Sequence, residues 1–198
     1  MATEESEPAE TVEANRMPIR FPYAREKAHN AALWFLHRHG GALDILKLIK
    51  LLFYADRLHL ARYGRPITGG LYRTLPHGPV AQDLLDDLNA RAKASPRAGG
   101  YPFRREGDYK IHAAGDVDED HLSESDIEVL EETDRKYGHH DAFTLRHMTH
   151  ELKAYQKNDP GESCRDLPYE DFFEDLPEDK RQILEIIRED NEARDCLE

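Results

Sequence analysis

The stretch ILKLIKLLFYADRLHLARYG, residues 45–64, decides the fold of this chain. Apolar side chains recur in it at the spacing of one helix face, and further apolar side chains widen that face. They are Ile45, Leu48, Leu52 and Ala55 on the stripe, with Ile49, Leu51, Phe53 and Leu58 beside it. Asp44 can cap the start of such a helix, and Gly64 can adopt the left-handed backbone that ends one. We therefore predict a mainly α fold, a single globular helical domain around this central apolar helix.

The flanking sequence predicts further helices and one hairpin. Gly40 and Gly41 end a helix that begins near Tyr23. Pro79 suits the first turn of another helix. Apolar and polar residues alternate on both sides of Glu106-Gly107-Asp108, which indicates a small β-hairpin that leans on the helices.

The second half of the chain contains helix signals of its own. Ser123 followed by Asp126 resembles a capping box, for a helix that stops at Gly138. A continuous helix is expected over residues 141–157. The last helix is expected after Pro177.

Length and composition indicate one domain with acidic ends. The chain has 198 residues and a formal net charge of -13. Residues 1–20 are rich in Glu, Ala and Pro, which predicts a disordered acidic N-terminal tail. The helical domain is expected over residues 21–158. Residues 159–198 contain 15 acidic and 5 basic residues and are expected to form an acidic helical extension.

The charge is unevenly distributed, because residues 16–110 contain 17 basic and 8 acidic residues. Either the basic half packs against the acidic half, or it meets an acidic partner. The acidic total argues against general nucleic-acid binding, which usually needs a basic domain. No apolar run is long enough to span a membrane, and the N-terminus does not resemble a secretory signal. With only two distant cysteines, which we interpret as reduced thiols, these features predict a cytoplasmic protein.

The histidines suggest a metal site only weakly. His147 and His150 lie three residues apart on a predicted helix and share a face, and His139 and His140 precede them. Zinc needs three or four ligands in a suitable arrangement, and the HEXXH pattern is absent. We expect no metal and no cofactor, and a small His-dependent metal protein is kept as a minor alternative.

Sequence motifs for catalysis are also missing. The chain contains neither a glycine-rich phosphate loop nor a GxSxG nucleophile elbow. Its two cysteines stand among acidic residues, which disfavours a reactive thiolate. We therefore expect a protein that is not an enzyme, with no catalytic residue to name.

A group of Tyr, Arg, His and Asp residues at the end of the central helix and just after it is our candidate for partner binding. Tyr and Arg often anchor protein interfaces. The candidates are Tyr54, Asp56, Arg57, His59, Tyr63, Arg65 and Tyr72. The alternative is that Tyr54 packs inside and that Asp56 or Arg57 makes a local ion pair. Composition does not separate the two interpretations.

Four short motifs occur in order along the chain, at Lys50–Asp56, Tyr63–Ile67, Gly78–Val80 and Leu145–His150. Together they resemble the SocA-like antitoxin family, also called the Panacea domain. The resemblance extends over about Tyr23 to Lys157, within the domain expected over residues 21–158.

The resemblance implies a mainly helical domain that is found in bacteria and their phages. Such a domain commonly serves as the antitoxin of a toxin–antitoxin pair and neutralises the toxin by binding it directly. The implied partner is a protein toxin encoded by the adjacent gene, with a protease or a host protein as further partners. The alternative is a phage- or prophage-derived adaptor that binds host proteins without any toxin.

Overall fold

The computed structural model describes residues 18–90, 101–176 and 178–195. These form seven α-helices and six short strands. The helices are α1 (Arg25–Arg38), α2 (Ile45–Tyr63), α3 (Gln82–Ala90), α4 (Glu124–Tyr137), α5 (Ala142–His150), α6 (Lys153–Lys157) and α7 (Glu178–Asp195). The strands are β1 (Ala42–Asp44), β2 (Tyr72–Leu75), β3 (Gly78–Ala81), β4 (Phe103–Glu106), β5 (Lys110–Ala113) and β6 (Arg165–Asp166). The described part of the chain is thus mainly helical, with small antiparallel sheets.

The helix α2 begins and ends where its capping residues predict. The side chain of Asp44 accepts a hydrogen bond from the backbone N–H of Leu46 over 2.8 Å. Gly64 follows the last turn in the left-handed conformation, at φ 72°. Between them most side chains are buried, and α2 contacts α1, α4, α5, β1 and β3.

Two three-stranded antiparallel sheets lie beside the helices, in the orders β1-β5-β4 and β3-β2-β6. The hairpin predicted around Gly107 is formed by β4 and β5, with Arg105 opposite Ile111. The sequence did not indicate that β1 would add a third strand, with Leu43 opposite Ile111. In the other sheet, β6 pairs with β2 through Thr74 and Arg165. Both strand partners come from distant parts of the chain.

The helix predicted to start at Pro79 is wrong in its boundary. Residues 78–81 form β3, with Pro79 opposite Thr74 on β2, and α3 begins only at Gln82. The carbonyl oxygen of Pro79 accepts a hydrogen bond from the Lys50 amine, so this residue is fixed by a contact with α2. A proline at a helix start and a proline in a short strand look alike in sequence.

The continuous helix predicted over residues 141–157 is interrupted. The helix α5 ends at His150, and Leu152 has an extended backbone, at φ -71° and ψ 136°, before α6 begins. The backbone N–H of Lys153 donates to the Asp175 carboxylate over 3.1 Å. A carboxylate 22 residues away therefore takes the place of an intrahelical acceptor at the break.

Side chains from the proposed extension are part of the core. Tyr169, Phe172 and Phe173 are buried, and the Phe172 ring lies 5.3 Å from the Phe53 ring of α2. The helix α7 buries Ile187 close to Gly64. Ile19 is buried as well, although the sequence assigned it to the tail. The rest of that tail, residues 1–17, lies outside the described residues.

Candidate partner-binding face

Three of the family-like motifs meet at the amine of Lys50. This side chain is fully buried, and its Nζ donates to the carbonyl oxygen of Pro79 over 2.7 Å. A Cβ atom on Gly78 would lie 2.8 Å from that Nζ and 2.6 Å from Thr149 Oγ1. The lysine motif, the Gly-Pro-Val turn and the late Thr-His segment are thus joined in the interior. Their residue types follow from packing rather than from an exposed site.

Burial controls the charge of Lys50. Desolvation lowers the pKa of this amine well below its usual range, and the nearby Arg146 guanidinium lowers it further. Burying an ammonium ion is costly, so the surroundings disfavour the charged form of this group. The amine of Lys50 holds Pro79 against α2 through its hydrogen bond.

Asp56 joins α2 to the segment that follows it. Its carboxylate accepts hydrogen bonds from the backbone N–H groups of Ile67 and Thr68, over 2.8 and 2.9 Å. It also accepts from the hydroxyl of Thr68 and, over 2.7 Å, from that of Tyr72. Burial raises the pKa of Asp56, although these hydrogen bonds oppose the rise. The aspartate motif and the Tyr-Gly-x-Pro-Ile step are therefore held together inside the protein.

Four of the seven candidate binding residues lie in the interior. Tyr54, Asp56, His59 and Tyr72 are each at most 5% exposed, so of the two interpretations left open the structure favours the interior one for these four. Tyr54 stacks on Tyr137 with ring centres 4.0 Å apart, which agrees with the interior alternative. Tyr54, Asp56 and His59 are buried because α2 is covered on several sides, and the hydroxyl of Tyr72 on β2 is buried against Asp56.

Arg57 is half-buried and bound within the chain. Its guanidinium donates to the carbonyl oxygen of Phe172 over 3.0 Å and to Asp175 over 3.3 Å. Desolvation lowers the pKa of Arg57, against the attraction of Asp175. This is the local ion pair that the sequence left open as an alternative to partner binding.

The remaining candidates, Tyr63 and Arg65, are accessible. Tyr63 is 40% exposed, and its hydroxyl donates to Glu128 of α4 over 2.8 Å. The side chain of Arg65 is 41% exposed. The Tyr63 ring lies 4.7 Å from the His59 ring, so the two residues share the C-terminal end of α2. The structure thus brings His59, Tyr63 and Arg65 together and leaves the last two at the surface.

Beneath them, three basic side chains approach Asp126 of α4. The Lys27 amine lies 2.7 Å from its carboxylate, the His59 ring 3.0 Å and the Arg65 guanidinium 3.3 Å. Burial alone would raise the pKa of Asp126. The hydrogen bonds from His59, Lys27 and Ser123 outweigh burial and hold the pKa far below its usual range. Ser123 and Asp126 form the predicted capping box, so the same carboxylate also starts α4.

The ring of His59 has a contact at each of its two nitrogens. Its Nδ1 lies 2.7 Å from the carbonyl oxygen of Arg65, and its Nε2 lies 3.0 Å from Asp126. Both ring nitrogens are thus held by contacts within the chain. These contacts fix the orientation of the ring against α4.

A hydrolase triad does not fit these contacts, although Ser125, His59 and Asp126 are neighbours. The Ser125 hydroxyl lies 3.3 Å from the same Nε2 that faces Asp126. In a serine hydrolase the carboxylate and the serine occupy different ring nitrogens. This cluster is therefore suited to fixing α1, α2 and α4 together.

The two histidines considered for a metal have different surroundings. His147 is exposed and faces Glu151 over 3.3 Å. His150 stacks on Tyr155, and burial, with help from the nearby Arg146 charge, lowers its pKa. Within residues 18–90, 101–176 and 178–195, no three His, Cys, Asp or Glu side chains converge as metal ligands would. His147 and His150 stay a weak metal prediction.

Comparison with known proteins identifies the family of this chain. No curated protein and no solved structure matches the chain. Among the described residues, no helix has both the length and the hydropathy to cross a bilayer. Residues 48–156 match the family described as antitoxin SocA-like, Panacea domain. This match includes all four motifs and confirms the resemblance seen in the sequence, and the chain therefore belongs to the SocA-like Panacea family.

Proposed function

We propose that this protein is the non-enzymatic antitoxin of a toxin–antitoxin pair and neutralises a protein toxin by direct binding. The observation that carries the proposal is the Panacea domain, which extends from within α2 to α6. Proteins of this family bind protein partners. We therefore expect binding at the accessible polar surface at the end of α2.

The interior contacts support a binding role over a catalytic one. Lys50 and Asp56 make internal hydrogen bonds that hold β3 and the segment after α2 in place. His59 has both ring nitrogens in contact with other parts of the chain, at Arg65 and Asp126. These groups rigidify a scaffold, and rigid scaffolds lower the entropic cost of binding a partner.

The domain limits and the location of the protein are part of the same proposal. We propose a single domain built around α2, with residues 21–158 as its family part and residues 159–198 as its extension. The buried contact between Phe53 and Phe172 supports a firm attachment of that extension. The partner is proposed to be a cytoplasmic protein encoded by the adjacent gene.

Co-expression with the product of the adjacent gene tests the function. The neighbour alone should stop host growth, and this chain should restore growth and co-elute with the neighbour in one complex. An Asp56→Ala variant, which loses the buried carboxylate, serves as a misfolding control and should fail to protect. A neighbour that is harmless, or that never co-elutes with the wild-type chain, would overturn the proposal and leave the host-protein adaptor as the interpretation to test.

A further inference from the structure

Basic side chains from the first half of the chain are paired with acidic side chains from the second half. Arg62 of α2 lies 2.9 Å from Glu128 and 2.8 Å from Glu132 of α4. Lys27 of α1 lies 2.7 Å from Asp126, also on α4. These pairs support the explanation of the uneven charge in which the two halves pack against each other.

Negative charge remains in surplus around the C-terminal end of α2 after this pairing. Residues 124–132 of α4 include five acidic and no basic residues, and residues 182–193 of α7 include four acidic and one basic. Five basic side chains approach these two segments from elsewhere in the described chain, too few to balance nine carboxylates. They are Arg20, Lys27, His59, Arg62 and Arg65.

The surplus lies on the surface. Four exposed glutamates of the two segments form no ion pair with any residue that the structure describes. They are Glu124 and Glu131 on α4, and Glu189 and Glu192 on α7. A cation supplied from outside would therefore meet carboxylates that have no internal partner to give up.

Two exposed apolar side chains accompany these glutamates. Tyr63 is 40% exposed and Ile186 is 59% exposed. Tyr63 touches α4 through its hydroxyl, which donates to Glu128 over 2.8 Å. It also adjoins α7, because the next residue, Gly64, has its Cβ position 3.6 Å from the side chain of Ile187. We call the surface formed by Tyr63, Ile186 and the four unpaired glutamates the Tyr63 face.

An aromatic residue among unpaired carboxylates is complementary to a basic protein segment. Tyrosine is one of the residues that anchor protein interfaces, and charged residues are typical of the polar rim. Unbalanced negative charge attracts a basic surface and repels an acidic one. Lysine and arginine also have long apolar stems, which can cover Tyr63 and Ile186 while their charged ends reach the glutamates.

We infer that the Tyr63 face is the docking site for a basic segment of the partner protein. Lysine or arginine side chains of that segment pair with the unpaired glutamates of α4 and α7. Apolar parts of the same segment pack against Tyr63 and Ile186. The inference rests on the proposed function, because it takes the partner to be the neutralised toxin.

The first test compares two matched double variants in binding to the adjacent-gene product. Glu131→Gln together with Glu189→Gln removes one unpaired carboxylate from each helix of the Tyr63 face. Glu151→Gln together with Glu162→Gln is the control, since both of these glutamates are exposed and follow α5 and α6 instead.

The first double variant should raise the dissociation constant about tenfold, mainly through slower association, and should reduce its salt dependence. The control should stay within about twofold of the wild type. Equal effects of the two double variants, with wild-type binding intact, would overturn the docking site and leave the proposed function standing.

The second test does not need the toxin. A peptide of alternating lysine and leucine serves as the basic probe, a glutamate-leucine peptide of the same length is its control, and NMR follows the side-chain signals of Tyr63 and Ile186. We expect shifts that saturate with the lysine peptide, that are absent with the glutamate peptide and that weaken in the Glu131→Gln, Glu189→Gln protein. No shift at the Tyr63 face, or unchanged shifts in that double variant, would overturn the inference whatever the outcome with the adjacent-gene product.

Discussion

The amine of Lys50 donates to the carbonyl oxygen of Pro79 over 2.7 Å, across a space that the glycine at position 78 leaves open. Gly78 has a φ of 94°, in the left-handed region that side chains avoid. Lys50, Gly78 and Pro79 belong to two motifs that are almost thirty residues apart in sequence. Their contact explains in physical terms why these residue types occur together.

Gly78→Ala should destabilise the protein strongly. The new Cβ would lie 2.8 Å from Lys50 Nζ and 2.6 Å from Thr149 Oγ1, in an unfavourable backbone conformation. Backbone strain and overpacking together should lower the free energy of unfolding by about 2–4 kcal/mol. Gly107→Ala is the matched control, because Gly107 has a φ of 60° and no atom within 4 Å of the new Cβ. Urea unfolding measures the free energy of unfolding of both variants. An equal decrease in the two would contradict a steric conflict between the new Cβ and Lys50.

Lys50→Met should flatten the dependence of stability on alkaline pH. Burial holds the pKa of Lys50 well below its usual 10.5, so between that lowered pKa and 10.5 the unfolded chain binds more protons here than the folded chain. The free energy of unfolding of the wild-type protein should therefore rise as the pH increases toward 10.5, because of Lys50. The variant lacks the titrating amine, so its free energy of unfolding should rise less between pH 7 and 9.5. Parallel curves for the two proteins in urea unfolding would contradict a lowered pKa of Lys50.

Asp56→Ala should be among the most destabilising single changes. It removes the acceptor for Ile67 N–H, Thr68 N–H and the Tyr72 hydroxyl, all of which stay buried. Leaving several buried donors unpaired should cost about 3 kcal/mol or more. Tyr72→Phe removes only one of these donors and should cost about 1 kcal/mol. Thermal unfolding of both variants measures the difference, and a Tyr72→Phe loss as large as that of Asp56→Ala would place the effect in ring packing instead.

Asp126→Asn should weaken the protein at neutral pH and remove part of its acid sensitivity. The pKa of this carboxylate is lower in the folded protein than in the unfolded chain, where it is near 3.8. Its contribution to the free energy of unfolding is therefore complete above pH 3.8 and declines as the pH falls below that value. Breaking this buried cluster should cost about 3–5 kcal/mol at pH 7.

Asp166→Asn is the control for the acid series. Asp166 is 71% exposed and has one surface ion pair with Arg73, so its replacement should change stability by less than about 1 kcal/mol. Urea midpoints from pH 7 down to pH 3 compare the two variants with the wild type. An Asp126→Asn protein whose stability declines with acid as steeply as that of the wild type would contradict the role given to Asp126.

Local patterns in the sequence determined where the main helices begin and end. The apolar spacing of α2, the Asp44 cap and Gly64 are features of neighbouring residues, and the structure confirms them. The capping box at Ser123 and Asp126 is equally local and is also present. Four ordered motifs were enough to identify the SocA-like family, which the match over residues 48–156 confirms.

The tertiary structure alone decided which polar residues are accessible. Tyr54, Asp56, His59 and Tyr72 resemble interface residues in sequence, yet elements from other parts of the chain cover them. Arg65 meets Asp126, a partner 61 residues away, and Pro79 lies in a strand with its carbonyl oxygen bound by Lys50 of α2. Periodicity and caps depend on residues within a turn or two, so sequence carries them. Burial, charge pairing and the shape of a groove depend on how distant segments pack, and only the folded chain brings those segments together.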